Sequence, residues 1–418
     1  MRINFMNSMA QGEKMLRHLG LFGLSVLVAA GQPLLASTGD AENLISNPGF
    51  EAGQSDWLFN SRPYNASLDV VADSTAPEGE MVASVTVGEY CRSASIGSRW
   101  ITLEADQDYT LSVSLRSQKG DVPVTLSVWS WADANGGWNK KTESRKTVQV
   151  TEQWQRFFLQ AKLQDAREGK YQVLIEVEQP AVIYADAVML TQGDSSADFH
   201  AGSDLDFGID FSEPSMLFEH GEPVDIIVRA NNRRDHIWPL TLEYRVEDFR
   251  GDAVIIATKD MAAEPGINQE ALRFELGKKG YYKLKISAID SDGTPVGEQL
   301  ASFALIEKKQ SDELDSNSPF GVSLSPNRLE LELERAKEIG VGHIRVHEVF
   351  GWKQVEPKEG DYEWESFDVE TSGDSSSAFY KPADYDFSVY RQSGLLPLVY
   401  IEGYDKSRPD WADEYDRE

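Results

Sequence analysis

Between residues 43 and 190 the chain is written in short runs that alternate apolar and polar residues, broken by turn-forming residues. Met81–Val87, Tyr109–Ser117, Val122–Trp131 and Tyr171–Glu178 are the clearest of these runs. A period of two marks strands with one buried face, and many short ones separated by turns predict an all-β sandwich over residues 38–192. Residues 193–206 are polar and rich in Gly, Ser and Asp, which reads as a linker. A second alternating set fills 207–307, with strands at Val224–Ala230, Leu240–Asp248 and Tyr281–Asp290 and a hairpin signal at Asp292-Gly293. After a second linker, 308–318, the period changes. Leu329, Leu333 and Ala336 follow helical spacing, Pro326 suits a first turn and Gly340 a cap, although Leu329, Leu331 and Leu333 also alternate. That helix lies between apolar runs at Phe320–Ser325 and His343–Glu348. A second helical run, Tyr385–Gly394, precedes Leu396–Gly403. Strand, helix, strand, helix, strand predicts a parallel α/β sheet in 319–418.

Composition narrows the partners. The 418 residues carry a formal charge of −29, which repels a phosphate backbone or an anionic bilayer. Nucleic acid and membrane docking are therefore not expected. Residues 1–37 read as a signal peptide, with Lys14 and Arg17 before the apolar run Leu21–Ala30 and small residues at Pro33–Ser37. Translation starts at either Met1 or Met15, and an uncleaved anchor is the competing reading. Export is the expectation, so the mature chain is placed outside the cell or in a periplasm. The single cysteine, Cys91, excludes an intrachain disulfide.

Candidate chemistry comes from the same alternation. In Val122–Trp131, the residues Val122, Val124, Leu126 and Val128 share one face, and Thr125, Ser127, Trp129 and Trp131 share the other. Indoles beside small polar residues form a platform on which the C–H face of a sugar ring packs. Trp138, Tyr90 and Trp57 are further candidates, and the alternative is that loops fold over these rings and bury them. In His343–Glu348, Ile344 and Val346 share one face while His343, Arg345 and His347 share the other. Arg345, His347 and Glu402 lie toward the ends of their strands. They are site candidates or, alternatively, members of structural ion pairs.

Three resemblances add to this reading. Asn43–Trp57, Glu152–Phe157 and Ile183–Leu190 are similar to carbohydrate-binding modules of families 4, 9 and 22. This implies a jelly-roll sandwich, a polysaccharide or oligosaccharide partner, and a structural Ca²⁺ held by Glu51 and Asp186. Both carboxylates alternatively just cap turns. The second sandwich resembles the immunoglobulin-like spacers of secreted polysaccharide-degrading enzymes. Arg345, Trp352, Glu356-Pro357, Gly360, Tyr362, Trp364, Asp368 and Pro409–Ala412 occupy positions that resemble the opening of clan-A glycoside hydrolase TIM barrels of the family 39 and family 5 kind. That resemblance implies hydrolysis with retention by two carboxylates. It gives Arg345 a role supporting the nucleophile and makes Trp352 a barrel-site candidate. In such barrels the two carboxylates end strands four and seven, and only three strands are legible here. No acid/base or nucleophile is assigned, a longer enzyme is expected, and the chain by itself is expected to be inactive. The reading is a secreted modular polysaccharide-binding glycoside hydrolase. The alternative is a non-catalytic extracellular or cell-surface glycan-binding protein.

Overall fold

The computed structural model describes residues 42–62, 65–89, 91, 93–104, 106–133, 138–163, 169–193, 198–308, 320–324, 329–346, 350–362, 388–398, 401–402, 409 and 411–412. The expected signal peptide, Tyr90 and His347 lie outside them. Among the described residues no helix is long and apolar enough to cross a membrane.

The first sandwich uses β1 (Trp57–Arg62), β2 (Ala66–Ala72), β3 (Met81–Val87), β4 (Ser93–Ser98), β5 (Ile101–Leu103), β6 (Asp108–Ser117), β7 (Val122–Asp133), β8 (Trp138–Val150), β9 (Gln155–Lys162), β10 (Gly169–Val177) and β11 (Ala181–Gln192). One sheet runs β1-β4-β10-β7-β8 with β5 also on β10, and the other runs β2-β3-β11-β6-β9. Aliphatic residues from the inner faces of both interdigitate, with Leu111, Val113, Leu115, Val124, Leu126 and Val128 fully buried. Burying such side chains contributes roughly 1.5–3 kcal/mol each and sets which way every strand faces. Cys91 is buried in this core.

The second sandwich starts two residues before its expected boundary. Strand β12 (Leu205–Phe211) begins inside the polar stretch read as a linker, because Leu205 is a core residue and Asp206 is buried beside it. The strands β13 (Leu217–Glu219), β14 (Val224–Asn232), β15 (Trp238–Asp248), β16 (Ala253–Ala263), β17 (Gly266–Phe274), β18 (Gly280–Asp290) and β19 (Pro295–Ile306) follow. They form the sheets β12-β14-β17 and β13-β19-β18-β15-β16. Gly293 adopts the left-handed φ of 81° that the β18–β19 hairpin turn requires.

The two sandwiches touch through polar contacts as well as chain continuity. Ser55 accepts the Ile209 N–H at 2.9 Å, and Gln299 donates to Asp56 Oδ2 at 3.2 Å. Arg233, at the end of β14, reaches back across the seam. Its guanidinium pairs with Glu78 of the first sandwich and, at 2.8 Å, with Asp206, which is 1% exposed.

The last region holds β20 (Gly321–Leu324), α1 (Leu329–Glu338), β21 (His343–Val346), β22 (Phe350–Gly351), α2 (Trp352–Val355), α3 (Ser388–Ser393), β23 (Leu396–Leu398) and β24 (Ile401–Glu402). Strands β20, β21 and β23 pair in parallel, as do β22 and β24. Helical spacing prevailed in α1 because Leu333 and Ala336 pack with Ile344 and Tyr390, and Gly340 ends the helix with a φ of 79°. The described residues form an open parallel α/β unit and no closed barrel.

Removing one partner of a buried ion pair leaves the others uncompensated, so Arg233→Ala is expected to cost about 3 kcal/mol. Urea unfolding of the whole chain checks this, with Arg233→Lys recovering part of the loss. An unchanged midpoint would show that the seam bridge contributes nothing.

Candidate functional site

The outward face of the β1-β4-β10-β7-β8 sheet is assembled by register. Trp129 lies opposite Gln172, Ser127 opposite Leu174, and Thr125 opposite Glu176. On the other side of β7, Ser127 faces Arg145 and Thr125 faces Thr147. A bulge separates Val128 from Trp129 in the β7–β8 pairing, while β7 pairs with β10 without interruption from Val124 to Trp131. The irregularity therefore belongs to β8, and Trp129 keeps the face opposite Val128 that its sequence spacing indicates.

Trp129 is half-buried and donates its indole N–H to Ser127 Oγ at 2.7 Å. That bond holds the ring over the sheet and leaves Thr125 and Ser127 beneath as a buried polar floor. Gln172 is fixed by donating Nε2–H to the Ser98 carbonyl at 2.7 Å, and Thr125 and Thr147 share a hydrogen bond of 3.0 Å. Arg145 forms looser pairs with Glu176 at 3.7 Å and Glu178 at 3.4 Å. An aromatic ring, an amide, a carboxylate and a guanidinium thus share one side of one sheet.

Of the other aromatic candidates, Trp131 and Trp138 lie in β7 and β8, and only their backbones are described; Tyr90 is outside the described residues. Trp57 is corrected to a core residue. It is 6% exposed, packs at a tilt against Phe50 with ring centroids 4.8 Å apart and donates its indole N–H to the Asn47 carbonyl at 2.9 Å. In β1, Trp57, Phe59 and Ser61 point inward and Leu58 is exposed, although Trp-Leu-Phe is apolar throughout and marks no face. Gln172, Glu176 and Arg145 were missed, although the alternation in β10 sets Gln172, Leu174 and Glu176 against Val173, Ile175 and Val177.

Glu51 and Asp186 both lie buried, at 2% and 0% exposure, near the seam with the second sandwich. Glu51 Oε1 accepts the N–H groups of Glu80 at 2.8 Å and Met81 at 2.9 Å. Asp186 accepts those of Ala187 at 2.6 Å and Glu78 at 2.8 Å. The turn before β3 closes tightly on this pair: a Cβ at Gly79, whose φ is 59°, would lie 2.1 Å from Glu51 Oε1. Burial pushes both carboxyls up, Asp186 to about 8, against the N–H bonds and with the added repulsion of Glu51 and Glu78. Paired, buried hard-oxygen donors with raised proton affinity suit a divalent cation such as Ca²⁺. No cluster of three or more His, Cys, Asp or Glu ligands occurs among the described residues, so main-chain oxygens or water would have to complete a coordination shell.

In the α/β region Arg345 is exposed on β21, with backbone partners Ser323 and Leu398. Trp352 is half-buried, meets Trp411 edge-on at 5.3 Å and donates its indole N–H to Glu356 at 2.8 Å. Glu356 also accepts the Gly360 N–H at 2.8 Å, and these bonds hold its carboxyl below the usual range. Trp352 thus ties the loop motif together. Of Glu402 only the backbone in β24 is described, and His347 lies outside the described residues.

The first sandwich is a jelly roll that presents an aromatic ring and polar groups on the outer side of one sheet. Residues 42–181 match the model of a family described as a carbohydrate binding domain. That match falls on the first sandwich, and neither the second sandwich nor the α/β region lies within it. Among solved structures, the CBM22-1 xylan-binding domain of Xyn10C from Paenibacillus barcinonensis is 16% identical. It covers 38% of this chain and 100% of its own, with a TM-score of 0.30. TmCBM61, solved with β-1,4-galactotriose, is 20% identical over 37% of this chain and 100% of its own, with a TM-score of 0.28. The CBM22-1–GH10 modules of Clostridium thermocellum Xyn10B, solved with xylohexaose, are 18% identical over 37% of this chain and 29% of their own, with a TM-score of 0.29. Among curated proteins, none matches this sequence.

The raised Asp186 sets a pH dependence for the metal-free protein. Its folded pKa of about 8 exceeds the ordinary 3.8, so the folded chain keeps a proton that the unfolded chain releases between those values. Its contribution to stability is full below about pH 4 and is lost as pH rises toward 8, with Glu51 acting in the same direction. Denaturation in EDTA at pH 5, 7 and 8.5 should show that fall, and Asp186→Asn should flatten it.

Proposed function

We propose that this chain binds a polysaccharide through the outer face of the β1-β4-β10-β7-β8 sheet, and that it belongs to an exported carbohydrate-active protein. The observation that carries the reading is Trp129. Its indole is fixed over a sheet whose opposite face is a closed aliphatic core, so the ring is committed to the outer side. Stacking on that ring supplies affinity, while Gln172, Glu176 and Arg145 lie where they can hydrogen-bond sugar hydroxyls. Trp131 and Trp138 extend the same surface in this reading. Glu51 and Asp186 hold a structural Ca²⁺ that fastens the N-terminal turns to β11. The neighbours solved with xylohexaose and β-1,4-galactotriose make neutral β-linked glycans the first ligands to try.

For the α/β region, the parallel order of β20, β21 and β23 and the Trp352–Glu356–Trp411 knot support the opening of a glycoside hydrolase barrel, with Arg345 as its positioning residue. The competing reading is a non-catalytic glycan-binding protein.

Trp129→Ala should weaken binding to the preferred glycan about tenfold while leaving the fold nearly intact. Affinity electrophoresis on xylan, mixed-linkage β-glucan and galactan gels reads this, and a wild-type protein retarded on none would end the proposal. For the cation, Ca²⁺ should raise the melting temperature by mass action, more at pH 8.5 than at pH 5 because Asp186 must lose its proton. An EDTA-insensitive melt at pH 8.5 would remove Ca²⁺ from the account.

A further inference from the structure

The outer face of this sheet continues past Gln172 to an indole that the alternation of the long strands does not reveal. Tyr171 pairs with Ser130 of β7 on one side and with Ile101 of β5 on the other. Trp129 therefore lies opposite Gln172 on one side, and on the other lies the Arg99–Trp100 segment that joins β4 to β5, with the Gln172 amide bonded to the Ser98 carbonyl that precedes it. Two strand spacings put the backbones of Trp100 and Trp129 about 10 Å apart. Trp100 is 38% exposed, a high value for an indole in a well-packed sandwich. It lines a cleft of about 200 Å³ together with Ser98, Arg99 and Asp56.

The Arg99–Asp56 pair is built rather than incidental. Arg99 Nη1 donates to Asp56 Oδ1 at 2.8 Å, and the Arg99 N–H donates to the Asp56 carbonyl at 2.8 Å. Asp56 is held at a left-handed φ of 70°, a conformation that costs energy in a residue other than glycine. Gln299 of the second sandwich donates to Asp56 Oδ2 at 3.2 Å. Behind the pair lies a second hollow of about 340 Å³, lined by Asp56, Arg99 and Gln299 and mostly polar. An exposed indole beside an oriented guanidinium and carboxylate is the equipment that holds a sugar ring: C–H face on the aromatic, hydroxyls on the charged pair.

We propose that Trp100, Arg99 and Asp56 form an outer sugar subsite at the seam of the two sandwiches, which receives the end of a neutral glycan chain whose middle lies on Trp129. This rests on the reading of the sheet as a glycan-binding face, and it makes the second sandwich, through Gln299, part of the binding surface rather than a spacer. Neutrality follows from charge: the chain carries −29 overall and the subsite's own charges are already paired, so an acidic polymer is repelled.

Calorimetry with the full chain tests the subsite, using tri- and hexasaccharides of β-1,4-xylan, mixed-linkage β-glucan and β-1,4-galactan. Trp129→Ala should lose affinity for both lengths of the glycan that binds. Trp100→Ala should lose about tenfold on the hexasaccharide, keep wild-type affinity for the trisaccharide, and melt at the wild-type temperature. Wild-type affinity of Trp100→Ala for the hexasaccharide overturns the subsite while leaving the Trp129 face standing. So does a weaker affinity accompanied by an earlier melt, which would make the ring structural. A wild-type chain that binds no member of the panel overturns the glycan-binding reading and this subsite with it.

Discussion

The two-sided strand is the constraint on which the rest of this structure depends. Once Val122, Val124, Leu126 and Val128 are buried in the first core, Thr125, Ser127 and Trp129 have nowhere to go but the opposite face. A one-residue slip would exchange the two sets and expose four aliphatic side chains, so the register of β7 is strongly specified. The hydrogen bonds of Trp129 and Gln172 then follow from their places on that face. The geometry of this face is a by-product of core packing.

The second organising feature is electrostatic. The seam between the sandwiches collects Glu51, Glu78, Asp186 and Asp206 within reach of Arg233. Burying several carboxylates together is costly unless cations meet them. Arg233 supplies one positive charge from the second sandwich, held in place by ion pairs to Glu78 and Asp206. A divalent cation on Glu51 and Asp186 would supply more without competing for the same oxygens that Arg233 uses. The joining of the two sandwiches and the stability of the first are therefore coupled through one acidic cluster. A sandwich read as a spacer thereby contributes to the stability of its neighbour.

The α/β region follows a different logic. Its strands are short and parallel, and its core is small, built from Leu333, Ala336, Ile344, Tyr390 and Leu395. Parallel strands are usually covered on both faces, and the described residues of this unit form an open sheet. The tightest local structure is the loop in which Trp352, Glu356 and Trp411 interlock. In that knot Glu356 ties the Trp352 and Trp411 indoles and the Gly360 N–H together.

The sequence by itself determined the two alternating β regions, the switch to helical period after residue 320 and the face carried by Trp129. Each of these rests on neighbours within a few residues or on a motif with fixed spacing. Only the tertiary structure decided that Trp57 is core, since its fate depends on the turn from Asn47 to Asp56 folding back to supply a carbonyl and the Phe50 ring. It alone brought Gln172 beside Trp129, Arg145 near Glu176 and Arg233 onto Glu78, a partner 155 residues away. Strand period fixes which face a residue occupies, whereas cross-strand register and domain docking fix which residues meet there. Those depend on the summed burial of whole sheets, a sum that no local pattern contains.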